Sequence, residues 1–208
     1  ENLIKEAFLR GVLKEVYLLE NSKLSFKVDV PIYYVTFKVM NKIKEVNSTK
    51  VIGIALKKDN LGYYGSRYLL LDKISDPGNL GTIIRSSVAF NLDTLIVSLD
   101  SCDIYNDKVI RASEGAIFKL NIIREDLEVA INYLKEKNIN IYGTDVNDGI
   151  MVSNISKENF AIIMGNEGQG ISEKIKKLVN QNIYLKTNNV ESLNVGVATS
   201  IILYELNK

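Results

Sequence analysis

Three stretches of the chain bring together residue types that could hold a small ligand or a phosphate. Residues 72–86, DKISDPGNLGTIIRS, read as the end of a strand, a Pro-Gly turn and a helix beginning near Asn79, with Arg85 six residues further on. Asn79 is a natural cap for that helix, and a capped helix with a surface arginine would explain the segment without any function. Its position at the C-terminal edge of a parallel strand favours a site, because open α/β sheets bind ligands there. Residues 162–172, IIMGNEGQGIS, read as strand, glycine-rich loop and helix start. Gly165, Gly168 and Gly170 would let a ligand approach the backbone closely, and Glu167 projects from the same turn. Residues 184–206, YLKTNNVESLNVGVATSIILYEL, lead through Ser192, Leu193 and Asn194 into a helix that is apolar on nearly every side. Such a helix is expected to be buried, with Gly196, Ala198 and Ser200 allowing close packing. Its polar entry reads better as part of a site than as packing.

Composition removes much other chemistry. There is no histidine and one cysteine, Cys102, among 208 residues, so a Ser-His-Asp hydrolase, a His-ligated metal centre and an intrachain disulfide are excluded. The reaction must use Arg, Lys, carboxylates, amides, hydroxyls and backbone groups. The glycine-rich loop does not fit G-x-G-x-x-G, lacks a P-loop lysine and is followed by only about 40 residues, which rules out a nucleotide-dehydrogenase topology. Net charge is only +1, yet residues 1–62 hold 11 Lys/Arg against 7 Asp/Glu. That local surplus leaves a solvated surface and a polyanion-binding face equally open. No apolar run approaches the roughly 18 to 20 residues that span a bilayer, and ENLIKEAFLRGVLKEV is too charged for a signal peptide. A cytoplasmic protein without membrane association is expected. The first residue is Glu1 and not methionine, so the native chain is expected to begin upstream.

The elements that must position these residues fall into two groups. Leu3, Ile4, Ala7, Phe8 and Gly11 share one helical face, VYLL and IYYVT read as strands, FKVMNKIKEV as an amphipathic helix and KVIGIAL as a strand. This predicts an α/β unit over residues 1–62, ending where KKDNLGYYGSR breaks the apolar pattern. Over residues 66–208, strand YLLL, helix NLGTIIRSSVAF, strand TLIVS, helix NDKVIRASEGAIF, the run FKLNII, helix DLEVAINYLKEKN, strands INIYGTD and FAIIMG, helix SEKIKKLV, strand NIYL and a helix from about Asn194 follow one another. Alternation of this kind predicts an α/β fold with a parallel sheet covered by helices on both faces.

Together, NLGTIIR, GNEGQG and ESLNVGVATSIILYE resemble the three motifs of the SpoU (TrmH) family of RNA ribose 2'-O-methyltransferases, the SPOUT class, in order, spacing and position relative to the strands. The resemblance covers the chain from about Tyr68 to its end, and the first unit is similar to the family's L30e-like RNA-binding domain, with its start missing. It implies a parallel sheet whose C-terminal segment forms a deep trefoil knot, a homodimer, and S-adenosylmethionine as methyl donor with no metal. It places Thr144, Gly165, Asn166, Gly168, Tyr184, Leu185, Leu193, Asn194 and Ala198 at the cofactor, and Asn79, Arg85, Glu167, Ser192 and Asn194 at the reaction site. Two departures stand out: Tyr184-Leu185 where the family commonly has Ile-Pro, and Lys186 at a position usually apolar. The family assigns proton removal to the arginine matching Arg85. A guanidinium with a pKa above about 12 is a reluctant base, so a phosphate clamp that also bonds the ribose is the alternative, with Glu167 orienting it. Because an L30e-like domain precedes the catalytic one, large-subunit ribosomal RNA is the expected substrate. The alternatives are transfer RNA, or an RNA-binding or ribosome-assembly protein that has lost catalysis.

Overall fold

Helix α1 (Asn2–Leu9) ends just before Gly11, whose φ of 68° only glycine takes cheaply, and the chain from Leu13 to Leu19 continues as strand β1. Gly11 therefore lies past the helix instead of on its face, and only Ile4 and Ala7 of α1 are buried. The computed structural model describes every residue except Glu45, Lys58 and Asn147. It divides into two units, Glu1–Asp59 and Asn60–Lys208. In the first, β2 (Ile32–Val35) pairs parallel with β1, helix α2 (Phe37–Ile43) is capped by Thr36, and β3 (Val51–Ala55) pairs antiparallel on the other side of β1. The order is β2-β1-β3.

The second unit carries the expected alternation: β4 (Arg67–Leu71), α3 (Pro77–Ala89), β5 (Thr94–Ser98), α4 (Asp107–Ala112), β6 (Asn121–Glu125), α5 (Leu127–Glu136) and β7 (Ile141–Thr144). Then come β8 (Ile150–Met151), β9 (Phe160–Met164), α6 (Glu173–Lys176), β10 (Gln181–Tyr184) and α7 (Val195–Leu206). The seven strands form one sheet in the order β6-β5-β4-β9-β7-β10-β8, and every pairing is parallel. Alternate residues of β4 enter opposite cores, Leu69 and Leu71 on one face and Tyr68 and Leu70 on the other, as the two-residue period of a strand requires. Ile83, Ile84, Ile202 and Leu203 from α3 and α7 fill the first core, and Ala130, Ile131 and Leu134 of α5 fill the second.

Four expectations change. The helix expected over NDKVIRASEGAIF stops at Ala112, because Glu114 and Gly115 take φ of 47° and 90°, and only a 3-10 turn (Ala116–Phe118) follows. The helix expected over SEKIKKLV is a single turn, Glu173–Lys176. The short strand β8 was not expected, being two residues long with no period to read. Finally, α7 is buried on one side only: Val197, Ile201 and Tyr204 remain 47%, 42% and 52% exposed. Their spacing of four and three places them on one stripe facing away from the core.

The sheet order locates the site. From β4 the chain moves outward through β5 to β6, while β9 returns to lie between β4 and β7. The C-terminal ends of β4 and β9 thus flank the switch in winding direction, where α/β sheets leave a crevice.

Candidate active site

Strand β4 is followed directly by Asp72, which is 3% exposed and accepts the Ser172 backbone N–H at 2.7 Å. Helix α3 then begins two residues earlier than expected. Its cap is Asp76, whose carboxylate accepts the Asn79 N–H at 2.8 Å, and Pro77 opens the first turn with the fixed φ that suits it. Asn79 is therefore not the cap, and its side-chain amide is free for other partners.

The glycine-rich loop folds on Asn166. Backbone bonds of 2.9 Å run both ways between Asn166 and Gly170, and the Asn166 side-chain oxygen accepts from Gly168 N at 2.9 Å and Gln169 N at 3.2 Å. The Asn166 amide nitrogen donates to the Lys73 carbonyl at 2.9 Å, pinning the loop to the end of β4. Gly165 is required by the loop itself: a Cβ there would stand 2.2 Å from Gly170 C and Ile171 N.

Asn194 caps α7, its Oδ1 accepting from Gly196 N at 3.0 Å and Val197 N at 3.2 Å. That leaves its Nδ2 as donor, which it gives to Asn79 Oδ1 at 3.0 Å, and Asn79 Nδ2 donates in turn to Glu167 Oε1 at 2.9 Å. The three motifs meet in this chain of bonds. Its direction is set by the helix, because N–H groups force the Asn194 oxygen to accept and each amide passes that polarity on to a carboxylate oxygen.

Beside the chain of bonds lies a cavity of about 590 Å3, within the range of roughly 300–1,000 Å3 typical of small-molecule sites. Of the residues expected at the cofactor, Thr144, Gly165, Asn166, Gly168, Leu185, Leu193, Asn194 and Ala198 line it, together with Glu167 and Ser192. Thr144 donates its hydroxyl to the Ile163 carbonyl at 2.9 Å, so that hydroxyl is already engaged in holding the sheet edge. Tyr184 does not line the cavity, whereas Ile183 and Leu185 do, as the alternation of an extended chain dictates. Lys186, at the second departure, is exposed. Sequence reading missed Asp72 and the cavity-lining Asp145, Lys176 and Glu191. Asp72 left a signal, a carboxylate closing the apolar run YLLL, whereas Asp145 and Lys176 lie in elements read only for their apolar faces and Glu191 in a loop.

Arg85 stands apart from the cavity. Its Nη1 pairs with Glu114 Oε1 at 3.2 Å, and both side chains are more than half exposed. Six residues of helix turn Arg85 about 240° from Asn79 and carry it about 9 Å along the axis, so the two side chains leave α3 in different directions. Glu114 was not foreseen either. Burial, with the Asp76 charge adding to it, pushes the Cys102 thiol up from its ordinary value, making it a poor nucleophile. Among the described residues no cluster of His, Cys, Asp or Glu is suited to a metal, and no helix is long and apolar enough to cross a membrane.

Residues 66–204 match the profile of the SpoU rRNA Methylase family. The chain is 30% identical over 213 residues to the 23S rRNA (guanosine(2553)-2'-O)-methyltransferase RlmP of Bacillus subtilis, covering 99% of this chain and 86% of that protein. It is 34% identical over 145 residues to an uncharacterized tRNA/rRNA methyltransferase of Borreliella burgdorferi, covering 67% of this chain and 63% of the other. Its fold matches that of the SpoU methyltransferase AviRb from Streptomyces viridochromogenes, solved in complex with AdoMet, with a TM-score of 0.85 at 23% identity over 99% of this chain and 86% of that one.

Proposed function

The chain belongs to the SpoU rRNA methylase family, and from that premise we propose that it transfers a methyl group from S-adenosylmethionine to the 2'-hydroxyl of one ribose in large-subunit ribosomal RNA. The observation that carries this reading is the Asn194–Asn79–Glu167 chain of hydrogen bonds at the edge of the cavity.

The cavity suits the methyl donor. Leu185, Leu193, Ala198 and Ile202 offer an apolar wall for a purine, while Asp145 and Glu191 offer carboxylates for ribose hydroxyls or an ammonium. A Cβ on Gly170 would meet nothing within 4 Å, and one on Gly168 only Asn166 Oδ1 at 3.6 Å, so the face of the loop is open to a ligand. S-adenosylmethionine supplies a methyl group already activated on a sulfonium, leaving the protein to align the ribose and let one proton depart. Asn79, Asn194 and Ser192 are suited to hold the ribose, and Glu167, fixed by Asn79, presents a carboxylate oxygen beside it.

The exposed stripe of Val197, Ile201 and Tyr204 supports a homodimer packed through α7. Arg85 lies on α3, against which α7 packs, so a second copy seated there would bring its Arg85 near this chain's cavity, where the guanidinium fork would grip phosphate and ribose. Insertion of β9 between β4 and β7, with the chain beyond β10 returning to α3, supports a trefoil knot around the cofactor. The Lys/Arg surplus of residues 1–62 supports an L30e-like RNA-binding role for the first unit, and a ribosomal RNA substrate implies a cytoplasmic location.

The test is transfer of label from S-adenosylmethionine to unmodified large-subunit ribosomal RNA, followed by mapping of the methylated nucleotide, with transfer RNA as a parallel substrate. Label in transfer RNA alone, or in neither, would overturn the assignment.

A further inference from the structure

Six non-glycine residues among those described have a positive φ, and four of them, Asn21, Asn91, Asn138 and Asn189, are asparagines, the residue type that tolerates this region best after glycine. The other two are Glu114 at 47° and Lys73 at 58°. Glu114 is accounted for by its ion pair with Arg85. Lys73 is not. Its backbone conformation has a clear purpose, since its N–H donates to Ser98 Oγ at 2.9 Å and its carbonyl accepts from Asn166 Nδ2 at 2.9 Å, locking the end of β4 to the glycine-rich loop. Glycine would serve that purpose without the steric penalty. The Lys73 side chain is exposed, and no carboxylate among the described residues pairs with it. Other cations near this edge of the sheet are engaged: Lys108 with Asp76 at 3.8 Å, Arg85 with Glu114, and Arg111 with Asp107. Neither backbone, packing nor ion pairing among the described residues explains a lysine here, and strained non-glycine residues gather where function demands a side chain.

We propose that Lys73 is a phosphate contact for bound RNA at the rim of the site. It is held by the Asn166 that shapes the glycine-rich loop, and lies three residues before the Asp76 cap of the helix carrying Asn79. The Lys73 backbone is thereby anchored to the framework that holds Asn79 and Glu167, so a phosphate docked on its ammonium is tethered at a short, fixed reach from the reacting ribose. The inference rests on the chain being an RNA methyltransferase, and it adds a positioning residue to that reading.

The experiment compares wild type with Lys73→Gly, Lys73→Ala and Lys73→Arg as full chains. Filter binding of an unmodified large-subunit ribosomal RNA transcript across a potassium chloride series gives affinity and salt slope. Lys73→Gly and Lys73→Ala should bind about three- to tenfold more weakly at about 0.1 M salt, with a slope shallower by about 0.7–0.9, the value of one lost phosphate contact. Lys73→Arg should keep both. Lys73→Gly should melt at a higher temperature than Lys73→Ala, because glycine relieves the backbone, and calorimetry should find S-adenosylmethionine affinity within about twofold of wild type in all three. Wild-type RNA affinity and slope in Lys73→Gly would overturn this proposal alone. A wild-type protein that binds no ribosomal RNA transcript would remove the methyltransferase reading along with it.

Discussion

Asn79 and Glu167 are 88 residues apart in the chain and 2.9 Å apart in space, the amide of one donating to the carboxylate of the other. Because Asn194 Nδ2 donates to the Asn79 oxygen, Asn79 cannot turn over without losing bonds to both partners. It therefore holds Glu167 with a defined polarity.

Replacing Asn79 with aspartate keeps the shape and removes the donor. Two carboxylates would then face each other where a bond now exists, and like charges at that distance repel. Asn79→Asp should lose methyl transfer by on the order of a hundredfold, the scale of one positioned catalytic group, while S-adenosylmethionine binding stays within a few fold. The rate should recover partly as pH falls and one carboxylate takes a proton. Single-turnover rates over a pH series check this; a rate near wild type at neutral pH would remove the hydrogen bond from the mechanism.

Gly165→Val should abolish cofactor binding. The reason is internal to the loop, since a Cβ would lie 2.2 Å from the Gly170–Ile171 peptide and prevent the Asn166–Gly170 closure. Titration calorimetry with S-adenosylmethionine reads the loss directly, with circular dichroism confirming that the sheet persists. Wild-type affinity would move the cofactor elsewhere.

Arg85→Ala and Arg85→Lys should each cost on the order of a hundredfold in transfer with little change in cofactor affinity, because an ammonium lacks the planar guanidinium fork. A mixing experiment decides whose site Arg85 serves. If it reaches the cavity of a second copy, Arg85→Ala mixed with Glu167→Gln regains about a quarter of wild-type activity, since half the dimers are mixed and one site in each is intact. No recovery after verified exchange would place Arg85 in its own site or outside the reaction. Ile201→Glu, which charges the exposed stripe of α7, should yield monomers in light scattering and lose activity as well.

Tyr63 supplies a prediction about pH. It stacks on Tyr133 with ring centroids 4.1 Å apart and donates to Glu125. Burial, followed by the Glu125 bond, raises the phenol well above its ordinary value. A folded-state pKa above the unfolded value of about 10 means that the neutral phenol stabilises the fold below that pH, and that this contribution is lost as pH rises beyond it. Tyr63→Phe should lower the melting temperature at neutral pH yet flatten its fall above about pH 10. Equal steepness in both proteins would show that Tyr63 is not the group responsible.

Residue types and their order along the chain limit the chemistry available and set the local architecture. An absence of histidine excludes a broad set of mechanisms whatever the fold, and strand and helix periods report which side of each element is apolar, so the alternation that builds the parallel sheet was legible. Motif spacing placed Gly165, Asn166, Glu167 and Asn194 at strand ends and helix starts, and these residues line one cavity. Which elements meet depends on the folded packing. Periodicity carries no information about which strand lies next to which, so the insertion of β9 between β4 and β7, and with it the contact of Asn79 with Glu167, could not be read along the chain. The same limit explains two arrangements near the site that no period along the chain reports. Arg85 turned to Glu114 because an unforeseen left-handed pair at Glu114 and Gly115 broke the preceding helix and brought that carboxylate to it. Helix α7 left Val197, Ile201 and Tyr204 open because an all-round apolar helix states that every side should be covered, while only the packing of α3 and the sheet settles which sides this chain covers for itself.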